Sequence, residues 1–402
     1  MTSRHGTGTG GRRVAPWILV TIVVAVLVAG GVVAYVLITR DNKEGATCSG
    51  QVVLPIVAAP GAAPAIEAAA ETFDATGPVA RSTCVTTEVT TVPGANAAAA
   101  LAGGWVGQPS AGPAVWFPDS AGDLAALEAT HSAMTAGRNP APMAGSPVVL
   151  AMRTQDADAV KSANLQWRDL PTAAGPNGSV TLPNNRKLIL ALPDPTTNRA
   201  TSYALQSVLA GTTAGPIDPA TVAANAGQLA GLDAGGPAVA PATTLDALNE
   251  IQSGGAGFTA VPIVDAEFTQ LSAQTQGLTV VALGGGTVGD QIYGVPITAS
   301  WVDPTLDAAA SAFLAYLRGP AGPSAFTEHG LKVGADTGVQ IADAGSAVAT
   351  ALAAAVGGAP GNAPGTAGTP PPVGTPVPGA TSGSATSGSA TAGAAPSTSS
   401  SG

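Results

Sequence analysis

Charge is scarce in this chain of 402 residues: Asp, Glu, Lys and Arg make up only 10% of it, and aromatic residues only 4%. A core must therefore be assembled from Ala, Val, Leu and Gly, with small side chains and close backbone approaches. Basic residues are outnumbered, 15 Lys and Arg against 25 Asp and Glu. They form no patch, which argues against nucleic acid as a partner. Histidine occurs only at His5, His131 and His329, outside any HExxH pattern, and no GxSxG is present. No metal site, cofactor or Ser-His-Asp arrangement is expected from such a set, and the absence of a convergent acid, base and nucleophile argues against an enzyme. Two cysteines, Cys48 and Cys84, are too few for a cysteine metal site. In an oxidising compartment they read as one structural disulfide; two free thiols would need a reducing one.

One long apolar run is present. Val14 to Ile38 is 25 residues without a charged side chain. As a helix it exceeds a hydrocarbon core of roughly 30 Å, which predicts a single transmembrane anchor. Arg4, Arg12 and Arg13 precede it with no acidic residue, so residues 1–13 are expected in the cytoplasm and the remainder outside the cell. A cleaved secretory signal is the competing reading, but its apolar region is usually ~7–15 residues. Beyond Arg40 lie all 25 acidic residues and 11 Lys and Arg, a net charge of −14 for the exported part. Residues 357–402 are almost entirely Ala, Gly, Pro, Ser and Thr, a composition that cannot bury a core and predicts a disordered tail.

Between these ends, about 310 residues suffice for one large or two ordinary domains. Gln51–Ala58 reads as a strand, followed by a helix on which Ile66, Ala69, Ala70 and Phe73 share a face. Cys84–Val92 and Ala95–Ala102 repeat the strand-helix order, as do Pro113–Phe117 and a helix carrying Leu124 and Leu127. Three such units predict an α/β fold with a parallel sheet. Further strands are expected at Ser146–Met152, Arg186–Leu192, Gly257–Val264, Leu278–Leu283 and Asp290–Thr298. Asp218-Pro219, Thr243-x-x-Asp246 and Asp303-Pro304 read as helix starts, the last opening a helix to Arg318 with a 3.6-period stripe.

Gly284 to Gly289 satisfies G-x-G-x-x-G, but IYGVPI follows it where a dinucleotide site needs a helix, so the stretch reads as a flexible loop. Asn177-Gly178-Ser179 fits a glycosylation sequon and reads as a turn. Candidate binding residues are those where strands meet helix starts: Asp119 and Ser120, Ser146, and Thr196 and Thr197. Ligands of open α/β sheets sit outside the carboxyl ends of strands, so three such loops predict a cleft, although each residue also suits an ordinary helix cap. Asp119 would disfavour an anionic ligand unless it is turned away or paired.

VWFPDS at 115–120, GSPVVLAM at 145–152, LALPDPTTNRA at 190–200 and WVDPTLDAAASAFLAYLRGP at 301–320, in that order, resemble the bacterial extracellular solute-binding proteins of the type II periplasmic-binding fold. The nearest likeness is to the membrane-anchored subgroup often fused to a von Willebrand factor A domain, here without that domain. It covers roughly residues 48–350. The resemblance implies a solute-binding-like domain at 45–356, with one α/β lobe at about 50–150 plus 285–345 and another at about 151–284. It implies a small polar ligand between them, no catalysis, and an envelope or transporter protein as partner. It adds Tyr293, near the return crossover, to the ligand-facing candidates. Where many relatives carry a hydroxyl in the first loop, this chain has Ala59-Pro60. A ligand-free envelope scaffold using the same fold is the alternative.

Overall fold

The structure is a computed structural model that describes residues 48–135, 140–211, 217–255 and 257–357. The anchor expected at Val14–Ile38 and the tail expected beyond residue 357 lie outside the described residues. Among the described residues no helix is long and apolar enough to cross a membrane.

The first sheet is built from β1 (Gln51–Ala58), β2 (Val79–Ala80), β3 (Thr83–Thr91) and β4 (Val115–Phe117). β4, β1 and β3 run parallel, with β1 in the middle. Each of these three is followed by a helix: Ala63–Ala75, Gly94–Ala102 and Ala121–His131. On the first of them Ile66, Ala69, Ala70 and Phe73 are buried, the face that the three-and-four spacing predicts. Gln51 of β1 pairs with Cys84 of β3, which places Cys48 beside it, and the Cys48–Cys84 disulfide is formed.

β5 (Ala144–Arg153) is the spine of the molecule and is buried along nearly its whole length. Among the described residues seven further strands follow, the first six being β6 (Thr181–Leu182), β7 (Arg186–Lys187), β8 (Ala260–Val264), β9 (Leu278–Val281), β10 (Gly289–Ile292) and β11 (Val295–Pro296). The last is β12 (Lys332–Val333). One end of β5 pairs with β10 and β12, and the other with β8 and β9. β11 then returns to the first sheet, pairing antiparallel with β4. The chain thus passes between two α/β lobes along β5 and comes back through β10.

Each lobe has its own core. In the first, Phe313 of the Pro304–Arg318 helix meets Phe73 edge-on at a centroid distance of 5.2 Å and Phe117 at 6.1 Å. Asp303 caps that helix by accepting from the N–H groups of Thr305 and Leu306. In the second, Trp167, Leu150, Met152 and Leu205 are fully buried together. The Ser346–Gly357 helix, which no sequence pattern marks, adds Val348 and Leu352 to this second core.

Two strand expectations are corrected. Arg186–Leu192 is a strand only at Arg186–Lys187, with a single bridge from Leu190 to Ala260, because Ile189 and its neighbours hydrogen-bond irregularly to Thr259. Asp290–Thr298 is two short strands, since the chain must leave β5 at Ile292 and join β4 at Val295.

Candidate functional site

A cavity of about 590 Å³ opens between the lobes. From the first lobe it is lined by Pro60 after β1, Gly94 at a helix start, and Asp119, Ser120 and Asp123 after β4. From the second come Thr196, Thr197, Arg199 and Tyr203, and Asp343 reaches it from the segment before the Ser346–Gly357 helix. Its position outside the carboxyl ends of β1 and β4 is where parallel sheets offer backbone N–H groups to ligands.

Arg199 organises the floor. It is the first residue of the Arg199–Ala210 helix, whose N-cap is Asn198. A cation there opposes the helix dipole, so its charge must be answered from elsewhere. Three carboxylates do so: Asp119 at 3.2 Å, Asp290 of β10 at 3.4 Å and Glu267 at 3.7 Å. Burial works against the guanidinium charge, but Asp290, Asp119 and Glu267 outweigh it and raise its pKa. Asp119 also accepts the Gly61 N–H at 3.0 Å. A methyl group at position 61 would come within 2.6 Å of the Asp290 carboxylate and 2.8 Å of Asp119. The missing side chain at Gly61 is what lets this ion cluster lie against the backbone.

A second polar group ties the lobes together. Ser120 caps the Ala121–His131 helix by accepting the Asp123 N–H at 3.2 Å and donates its hydroxyl to Asp343. Gln206 donates to the other Asp343 oxygen at 2.6 Å and accepts the Ala344 N–H at 2.9 Å.

The cleft is therefore acidic. Asp119, Asp123, Asp343 and Glu267 line it, whereas Arg199 is the single basic residue among the described residues that do. Burial, reinforced by the charges of Asp119 and Asp343, pushes the Asp123 carboxyl up to about 7. Burial likewise pushes Asp290 up to about 7, against the pull of Arg199. The Tyr203 hydroxyl is driven well above its usual range, first by burial and then by the charge of Asp290.

Of the residues singled out in the sequence, Asp119, Ser120, Thr196 and Thr197 come together on this cavity. The Thr196 hydroxyl is engaged locally with Asp194 at 2.7 Å. Ser146 and Tyr293 do not line it. Ser146 is fully buried on β5 and accepts the Ala266 N–H at 2.8 Å. Tyr293 packs beside Trp116 and Leu127 and donates to Gln291 at 3.0 Å. Arg199, Asp123, Asp343, Glu267 and Asp290 were not anticipated. Arg199 did carry a signal, an arginine in the first turn of a helix, where a cation opposes the dipole.

Two α/β lobes that exchange β5 and β10, with a polar cavity between them, define a periplasmic-binding-protein-like architecture. The chain belongs to the bacterial extracellular solute-binding protein family, whose sequence pattern matches residues 54–332. It is 26% identical over 336 residues to an uncharacterized protein of Mycobacterium tuberculosis strain H37Rv. That match covers 79% of this chain and 48% of the relative, so the chain spans about half the relative's length. Among solved structures it is similar to iron-bound HitA of Pseudomonas aeruginosa, with TM-score 0.51 and 14% identity over 76% of this chain and 99% of that one. It is also similar to the sulfate-binding protein SubI of M. tuberculosis, with TM-score 0.46 and 16% identity over 75% and 90% of the two chains.

Proposed function

We propose that this is a membrane-tethered extracytoplasmic solute-binding protein that closes its two lobes on a small polar ligand and performs no chemistry. The cavity lined from both lobes carries this reading, supported by membership of the solute-binding family. The lobes correspond to about 50–150 plus 285–345 and about 151–284, with the Ser346–Gly357 helix added to the second. Val14–Ile38 would hold the domain at the membrane face. Asp119, Ser120, Thr196 and Thr197 would face the ligand, while Ser146 would stiffen the crossover and Tyr293 the return strand. Ligand would select the closed state through its higher affinity for it. The test is thermal unfolding of the full-length chain in detergent against anions, sugars, amino acids, amines and peptides. A true ligand at 100 times its dissociation constant adds about 2.7 kcal/mol.

One observation favours the alternative, a ligand-free envelope scaffold. Asp119 with Arg199, and Ser120 with Asp343 and Gln206, already join the lobes through satisfied polar contacts. Under that reading no small molecule raises the midpoint, and a cross-linked envelope protein appears in its place.

A further inference from the structure

The cleft's charge narrows the ligand class, an inference that rests on the solute-binding reading. We propose that the cavity takes an organic cation bearing N–H donors, an ammonium or guanidinium group that seats on Asp123 between Asp119 and Asp343.

Two independent observations converge on this seat. The first is the imbalance of charge on the wall, four carboxylates to one guanidinium. That guanidinium is already committed to Asp119, Asp290 and Glu267, which leaves no free cation on the wall among the described residues for an anionic ligand. Asp119 itself fills the place an anion would take, accepting the Gly61 N–H beside the start of a helix. The second is Asp123. Its side chain lines the cavity with only 9% of the residue exposed, yet among the described residues its carboxylate accepts no hydrogen bond. A buried carboxylate without a partner costs free energy that a donor in the cavity would offset.

The shape of the site selects among cations. Among the described residues no group of His, Cys, Asp or Glu is placed to hold a metal ion. Quaternary ammonium groups are held by aromatic cages, and among the described residues Tyr203 is the single aromatic one on this wall. The Asp123 and Asp119 carboxylates both lie against Gly94, a close group of acceptors that suits a cation carrying several N–H donors on one head. The charged groups facing Asp123 are Asp119 on the loop after β4 and Asp343 before the last helix. The facing helix start, Pro93-Gly94-Ala95, carries none.

The experiment titrates the full-length chain in detergent with putrescine, agmatine and ethanolamine, and in parallel with sulfate, molybdate, phosphate, glucose and glutamate. Expected results are binding in the amine arm and an affinity at least tenfold lower in Asp123→Asn. A second readout does not depend on a variant. At pH 6 amine binding must displace the Asp123 proton, so its calorimetric heat should differ between buffers of high and low ionisation enthalpy. Binding confined to the anion or sugar arm overturns the cation inference and leaves the solute-binding reading standing. Amine binding that Asp123→Asn does not weaken, or that moves no proton, overturns the seat. Binding in no arm overturns both readings.

Discussion

Replacing Asp123 by Asn should stabilise the free protein, and the sign separates a carboxylate kept for a ligand from one that serves the fold. Asp123 stands at the third position of the Ala121–His131 helix, where a negative charge is worth ~0.3–1 kcal/mol against the helix dipole. Against that gain stands its pKa, raised from 3.8 to about 7 by burial and by Asp119 and Asp343. By linkage, a shift of that size bounds the cost of the charged form at about 4 kcal/mol. Relaxation of the cleft and the lost dipole interaction reduce the expected gain of Asp123→Asn to about 1–3 kcal/mol at pH 8. In a domain of this size that is roughly 2–8 °C in Tm. Because the folded pKa lies above the unfolded one, the cost is complete above about 7 and is relieved as pH falls toward 4. Thermal unfolding of the two proteins at pH 4, 6 and 8 should show curves that converge at the acid end. A variant less stable than the parent at pH 8, or an offset that ignores pH, would refute the argument.

Arg199→Met should cost about 3–5 kcal/mol in urea unfolding, because it strands the buried carboxylates of Asp290 and Asp119. Adding Asp290→Asn to it should recover part of the loss, and a pair whose effects simply add would show that the two are not coupled. Reducing Cys48–Cys84, which closes a loop of 36 residues, should lower stability by about 4 kcal/mol in the chain-entropy model. Urea curves with and without reductant that coincide would count against it. Ser146→Ala should cost about 1–3 kcal/mol by leaving the Ala266 N–H buried without an acceptor, and calorimetry that finds no loss would mean the N–H has found another partner.

Elements whose identity depends on local pattern were legible in the chain. The Pro304–Arg318 helix declares itself by an Asp-Pro start and an apolar stripe, and Thr243, Asp218 and Asp303 cap as their types require. The three strand-helix units at the start follow from alternating runs of β-branched and Ala-rich sequence. Strand continuity was harder to see, because IYGVPI is apolar throughout whether it forms one strand or turns from β5 to β4. The Ser346–Gly357 helix was lost in a stretch so rich in Ala and Gly that its face cannot be told from its composition.

The cleft shows why half of its residues stayed hidden. Asp119 and Ser120 follow a strand directly, and a strand end is a place that sequence can mark. Asp343 comes from far along the chain to meet Ser120 and Gln206, and Asp290 reaches Arg199 only because β10 lies antiparallel to β5. Such residues have no signature of their own, since their meaning lies in the partner. What the sequence does hold is the mismatch. In a chain with few charges, an arginine at the positive end of a helix has to be answered by carboxylates brought from elsewhere. Once Arg199 is answered by three of them, the remaining acidity of the wall, Asp123 above all, is left for a ligand to neutralise.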